Sequence, residues 1–129
     1  MEKKLLIIDD DPDILKSLKV ILEDKGFKVL TASNKTDGIE ICTAEKPDLI
    51  ILDIMMDTNL EGYGMLNDFR KDKNLMDIPI VIYSGMAQEL GVNFRSAVED
   101  ERLFPNVSFV DKREDIEDLI AEINKLLCV

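Results

Sequence analysis

The sequence contains no histidine and no tryptophan, and only two of its 129 residues are cysteines. Without histidine, Ser-His-Asp and Cys-His catalysis and any histidine-ligated metal site are excluded. Cys42 and Cys128 lie far apart without a metal-binding spacing, and a disulfide is not expected in a reducing compartment. Cys42 falls in an apolar helical pattern, which predicts a small core residue.

Long apolar runs and an excess of positive charge are also missing. No run approaches the roughly 20 apolar residues that span a bilayer, and the stretch after Lys3-Lys4 is too short for a signal peptide. We therefore expect a soluble, cytoplasmic protein that does not bind membranes. The formal net charge of −11 argues against direct binding of nucleic acid by this domain.

The composition is that of a folded protein, since hydrophobic residues make up 46% of the chain. The length fits one domain, residues 1–129, and there is no internal repeat, linker or low-complexity stretch. Buried-strand patterns alternate with helical patterns along the chain. The strands are predicted at residues 4–8, 27–32, 49–52, 78–83 and 107–110.

Helix boundaries are marked by capping residues. Asp11 is predicted to cap a first helix that begins at Pro12 and ends at Gly26. Ser33 or Asn34 is predicted to cap a second helix. A short helix is expected around residues 65–71, a helix and loop up to residue 103, and an amphipathic helix over residues 116–127.

This alternation predicts an α/β fold with a doubly wound, five-stranded parallel sheet and five helices on its two faces. In the common strand order 2-1-3-4-5, strands one and three are neighbours at the point where ligands bind. Polar residues follow these strands: Asp9 and Asp10 the first, Asp53 the third, Ser84 the fourth and Lys112 the fifth. We therefore expect their side chains to meet at one edge of the sheet.

Crowded carboxylates are costly unless a divalent cation or protons relieve them, and carboxylate oxygens suit Mg²⁺. A metal, a lysine and a hydroxyl around one further carboxylate describe a site for a phosphoryl group. In that site Asp53 is the candidate nucleophile.

Four segments at the ends of these strands resemble the response-regulator receiver domains of two-component signalling. They are Leu-Ile-Ile-Asp-Asp-Asp-Pro-Asp at 6–13, Asp-Leu-Ile-Ile-Leu-Asp-Ile-Met-Met at 48–56, Ile-Pro-Ile-Val-Ile-Tyr-Ser-Gly at 78–85 and Phe-Val-Asp-Lys at 109–112. The resemblance covers essentially the whole chain and implies a flavodoxin-like fold. It also implies that Mg²⁺ is coordinated by Asp9, Asp10, Asp53 and the backbone carbonyl of Met55.

The resemblance further implies that Asp53 accepts a phosphoryl group from a sensor histidine kinase or a phosphotransfer protein. Ser84 would grip the phosphoryl group, Lys112 would bridge to it, and Phe109 would be the aromatic residue that changes rotamer. The surface formed by the fourth helix, fifth strand and fifth helix would then change its partner preference. Output passes through a downstream protein target, or the chain is a piece of a larger regulator or hybrid kinase.

Three features depart from the family pattern. Asp57 and Arg113 stand where the family usually has proline, and the segment from Ser84 to Phe109 is roughly six residues longer than usual. We expect a more mobile loop at Asp57 with added negative charge near the metal, and a less rigidly held Lys112. A phosphorylation-dependent dimer of the usual kind cannot be assumed.

Other functions fit the same residues less well. A haloacid-dehalogenase-type phosphohydrolase would use Asp9 as nucleophile and Asp11 as acid, whereas the helix pattern assigns Asp11 to a cap. A phosphorylation-independent interaction module is a further alternative. A flavin-binding module is disfavoured because the first strand–helix turn is acidic. We expect a protein that catalyses only its own phosphorylation and dephosphorylation, and is otherwise no enzyme.

Overall fold

The computed structural model describes residues 3–53, 71, 77–84, 107–112 and 115–127. Within these residues there are five strands and three helices. The strands are β1 (Lys4–Ile8), β2 (Lys28–Ala32), β3 (Leu49–Leu52), β4 (Ile80–Ser84) and β5 (Val107–Asp111). The helices are α1 (Pro12–Asp24), α2 (Lys35–Glu45) and α3 (Ile116–Leu127).

All five strands form one parallel sheet in the order β2-β1-β3-β4-β5, as the sequence predicted. The two further helices predicted between β3 and β5 lie outside the described residues, apart from Lys71, which is helical. In the part of the chain that the structure describes, no helix is long and apolar enough to cross a membrane.

The central strands are apolar along their whole length because both faces of the sheet are covered. In β3 every residue is buried. One hydrophobic cluster lies on the α2 face of the sheet, and a second cluster on the opposite face includes side chains of α1 and α3. The core therefore holds the strands rigidly and fixes where their carboxyl ends emerge.

The first helix begins and ends as its capping residues predict. The Asp11 carboxylate accepts the backbone N–H of Asp13 at 2.9 Å, with Pro12 in the first position. Gly26 has a φ of +95°, a conformation that glycine adopts without a Cβ clash, and its N–H donates to the carbonyl of Glu23. These ends direct the chain from the β1 edge back into β2.

The second helix is capped by Asn34, one of the two residues predicted for that role. The Asn34 side-chain oxygen accepts the N–H of Asp37 at 2.9 Å. Cys42 is fully buried in the α2 face of the core, as predicted.

Three strands have boundaries that differ from the prediction. β2 begins at Lys28 because the N–H of Phe27 donates to the carbonyl of Leu22 at the end of α1. β4 spans Ile80–Ser84 and not residues 78–83, since Pro79 has no N–H to donate to the ladder. β5 continues to Asp111, which pairs with Ser84.

Candidate functional site

The acidic segments that follow β1 and β3 lie next to each other at the carboxyl edge of the sheet. β1 and β3 are neighbours, with Ile8 opposite Leu52. One more backbone hydrogen bond follows each strand: Asp53 N–H donates to Ile8 at 2.9 Å, and Asp9 N–H donates to Ala32 at 3.1 Å. The sheet therefore fixes the backbones of both aspartates, and the predicted adjacency is confirmed.

Three carboxylates converge there. Asp9, Asp10 and Asp53 each offer an oxygen, and these oxygens lie within 4.8 Å of one another. Asp9 and Asp53 are buried, with 2% and 7% of their surface exposed, whereas Asp10 is exposed. Hard oxygen ligands at this spacing, with one side open to water, fit Mg²⁺, which keeps several of its waters when bound.

Lys112 reaches this cluster from the end of β5. Its ammonium donates to Asp9 Oδ2 at 2.7 Å and to Asp53 Oδ2 at 3.1 Å. The other oxygen of Asp9, Oδ1, accepts the backbone N–H of Asp11 at 2.9 Å. One ammonium is thus shared by two buried carboxylates, with a third carboxylate beside them.

Burial and charge shift the ionisation of this pair. Burial raises the pKa of the Asp9 carboxyl, against the opposing effects of the Lys112 ammonium and the Asp11 amide. Burial lowers the pKa of Lys112, but the carboxylates of Asp9 and Asp53 outweigh it and hold that pKa above its ordinary value. Lys112 therefore stays a cation, and it is the one described cation paired with this group of three carboxyl groups.

The remaining predicted site residues are only partly described. Ser84 is the last residue of β4 and pairs with Asp111 in the ladder, while its side chain lies outside the described part. Met55 lies outside the described residues, as do Asp57 and Arg113. Phe109 is 6% exposed in the α2-face cluster, so its proposed rotamer change stays a prediction.

Sequence reasoning missed two buried residues beside Lys112. Tyr83 and Asp111 are 8% and 7% exposed, and they directly precede Ser84 and Lys112 in the chain. Burial raises the pKa of the Tyr83 phenol, Lys112 lowers it, and Asp111 and Asp9 raise it further. The available signal was position, since Tyr83 and Asp111 come directly before the residues that emerge at the edge of the sheet.

The contacts of Asp9 and Asp11 disfavour a phosphohydrolase. The Asp11 carboxylate caps α1, and the two carboxylate oxygens of Asp9 accept from the Asp11 amide and the Lys112 ammonium. To act as the acid in ester hydrolysis, Asp11 would have to leave the helix cap.

The five-stranded parallel sheet in the order β2-β1-β3-β4-β5 has flavodoxin-like topology. Its three clustered carboxylates lie between β1 and β3, where the strand order reverses and where ligands bind in such sheets. The chain belongs to the response regulator receiver domain family, whose model matches residues 5–124. It is thus a receiver domain of the kind found in two-component response regulators.

Known proteins of similar sequence and structure agree. Protein PilH of Pseudomonas aeruginosa is 32% identical over 126 residues, which cover 96% of this chain and 97% of PilH. The DNA-binding dual master transcriptional regulator RpaA of Synechocystis is 30% identical over 96% of this chain, which spans 48% of RpaA. A two-component response regulator from Clostridium difficile superimposes with a TM-score of 0.80 at 25% identity, covering 98% and 97% of the two chains.

Proposed function

We propose that this receiver domain is a switch that is phosphorylated on Asp53 and requires Mg²⁺. The observation that carries the proposal is the convergence of Asp9, Asp10 and Asp53 with the Lys112 ammonium bridging two of them. The metal would be held by these three carboxylates and by the backbone carbonyl of Met55. Bound Mg²⁺ would neutralise phosphoryl oxygens.

The transfer step uses the Asp53 carboxylate as nucleophile. An Asp53 oxygen forms a bond to phosphorus while the bond from phosphorus to the donor histidine nitrogen breaks, and that nitrogen keeps the electron pair and takes up a proton. Water later attacks the phosphorus and regenerates the carboxylate with release of inorganic phosphate. The chain is an enzyme only in this self-directed sense.

Lys112 has two roles in this proposal. Without metal it offsets the charge of Asp9 and Asp53, and after transfer it pairs with a phosphoryl oxygen. Because its ammonium now binds the carboxylates that would hold the metal, Lys112 competes with Mg²⁺ for them. The elevated pKa of Lys112 ensures that this competitor is always charged near neutral pH.

Output follows from a rearrangement at the neighbouring strand ends. Ser84 would move toward the phosphoryl group and Phe109 would follow, changing the surface formed by β5, α3 and a predicted helix before β5. We propose that the fold has five helices in all and forms a single domain. The phosphoryl donor would be a histidine kinase or a phosphotransfer protein, and the protein would act in the cytoplasm. The net charge of −11 favours a protein over nucleic acid as output partner.

Phosphorylation of the intact chain tests the proposal. The protein is incubated with Mg²⁺ and a phosphoramidate donor, and intact mass is measured with and without EDTA. We expect one labile phosphoryl adduct that requires Mg²⁺ and is absent from Asp53→Asn. Asp48→Asn, which changes an aspartate at the opposite edge of the sheet, is the matched control and should keep the adduct. An adduct that persists in Asp53→Asn would refute the assignment.

A further inference from the structure

The Lys112 side chain joins the ends of three strands, because it leaves β5 and contacts residues that follow β1 and β3. Its position therefore decides how the carboxylates are neutralised. The next residue in the sequence is Arg113 and not proline, so no proline ring stiffens the backbone after Lys112. Something other than proline must restrict the Lys112 side chain, which is only 21% exposed.

Tyr83 is placed to do so. It lies in β4 directly opposite Val110 of β5, and both side chains belong to the cluster that includes α1 and α3 residues. To reach Asp53 and Asp9 from the end of β5, the Lys112 side chain passes the carboxyl end of β4, the strand that lies between β5 and β3. Tyr83, which is 8% exposed, is the next-to-last residue of β4 and therefore lies near this path.

The phenol lies among the charges of the site without adding to them. Burial raises the pKa of Tyr83, Lys112 lowers it, and Asp111 and Asp9 raise it. A neutral phenol offers volume and low polarity without further negative charge. The hydrogen bonds described for the Lys112 ammonium go to Asp9 and Asp53, so an effect of Tyr83 on Lys112 would come from its ring and not from its hydroxyl.

We propose that Tyr83 is a positioning residue whose ring confines the aliphatic part of Lys112 and so keeps the ammonium between Asp9 and Asp53. A confined ammonium competes more strongly with a cation for those carboxylates than a loosely held one. Tyr83 thereby sets the affinity of the site for Mg²⁺ without touching the metal. The inference rests on the proposed function in one respect, namely that Mg²⁺ binds these carboxylates.

A double-mutant cycle on Mg²⁺ affinity tests this coupling. The intact wild type, Tyr83→Val, Lys112→Met and the double variant are titrated with MgCl₂ by calorimetry, without any phosphoryl donor. We expect Lys112→Met to tighten binding by about tenfold and Tyr83→Val by about threefold, with the double variant no tighter than Lys112→Met alone. This non-additivity is expected only if Tyr83 acts through Lys112.

Two controls separate positioning from general packing. Tyr83→Phe keeps the ring and should retain the wild-type affinity. Leu49→Ala removes volume from the same cluster at the opposite end of the sheet, and should lower the free energy of unfolding while leaving the affinity unchanged. Tyr83→Leu, which keeps more buried volume than valine, is used if Tyr83→Val does not fold.

Additive effects in the cycle, or a wild-type affinity in Tyr83→Val, would overturn the inference while leaving the metal site intact. If Lys112→Met also binds Mg²⁺ as the wild type does, the competition invoked in the proposed function is overturned as well. A metal-free check is the NMR signal of the Lys112 ammonium, whose protons should exchange with water faster in Tyr83→Val and not in Leu49→Ala.

Discussion

The amino ends and the carboxyl ends of β1 and β3 differ in how their charged groups are paired. At the amino end, the Lys4 N–H donates to an Asp48 side-chain oxygen at 2.7 Å and the Asp48 N–H donates to the Lys4 carbonyl at 2.8 Å. The Lys4 ammonium pairs with Glu45 at 3.3 Å. At the carboxyl end, one ammonium faces the carboxylates of Asp9, Asp10 and Asp53.

Burial makes this contrast larger. The side chains of Lys4 and Glu45 are 34% and 45% exposed, so water screens their attraction, whereas those of Asp9 and Asp53 are 3% and 8% exposed. A surplus of poorly hydrated negative charge lowers stability unless a cation binds it. The amino end is thus organised for stability, and the carboxyl end retains a charge imbalance that a bound cation would relieve. Local rules are broken where function resides.

Removing the lysine at each end should give the largest difference between them. In EDTA, Lys112→Met should lower the free energy of unfolding by about 3 kcal/mol, because it leaves the buried Asp9 and Asp53 carboxylates without their cation. Lys4→Met should cost less than about 1 kcal/mol, because its ion pair with Glu45 is half exposed. Urea denaturation followed by circular dichroism measures both.

Magnesium should restore much of the stability lost in Lys112→Met and little of that lost in Lys4→Met. Similar losses in the two variants, unaffected by Mg²⁺, would mean that the carboxyl end carries no special charge imbalance.

Asp48 gives an intermediate effect confined to the amino end. Asp48→Ala removes the acceptor of the partly buried Lys4 N–H and should cost about 2 kcal/mol, the usual penalty for an unsatisfied buried donor. Mg²⁺ affinity, measured by calorimetry, should equal that of the wild type, because Asp48 lies at the opposite end of β3 from Asp53. A shift of more than threefold would show that the two ends are coupled through the strands.

Much of the fold was predictable because the apolar runs, the capping residues and the polar residues after the strands all indicate the same topology. Unbroken apolar runs predicted central parallel strands, and Asp11, Asn34 and Gly26 marked the ends of helices correctly. The convergence of Asp9, Asp10 and Asp53 followed from strand order alone, since carboxyl ends of parallel strands share one edge.

The partners of individual charges could not be predicted in the same way. Nothing in the spacing of the sequence indicates that Lys112 shares its ammonium between Asp9 and Asp53, because such pairing depends on distances across three strands. From the sequence alone, Tyr83 is predicted only to be a strand residue. Its position near Lys112 follows from the register of β4 and β5, in which Tyr83 lies opposite Val110. Which side chains pair at the carboxyl edge depends on how the strands and helices pack against one another, and the sequence pattern does not give that packing.

The smallest expected effect concerns the caps of the two helices that follow β1 and β2. Asp11→Ala and Asn34→Ala should each cost about 1 kcal/mol, because each removes one side-chain acceptor from the first turn of a helix. Asp11→Ser should recover most of its loss, since serine also caps. Although Asp11 adjoins the acidic cluster, its role as a cap predicts that Asp11→Ser changes Mg²⁺ affinity far less than Asp10→Ser does. Equal loss of Mg²⁺ affinity in these two serine variants would instead mean that Asp11 is a ligand of the metal and not only the cap of α1.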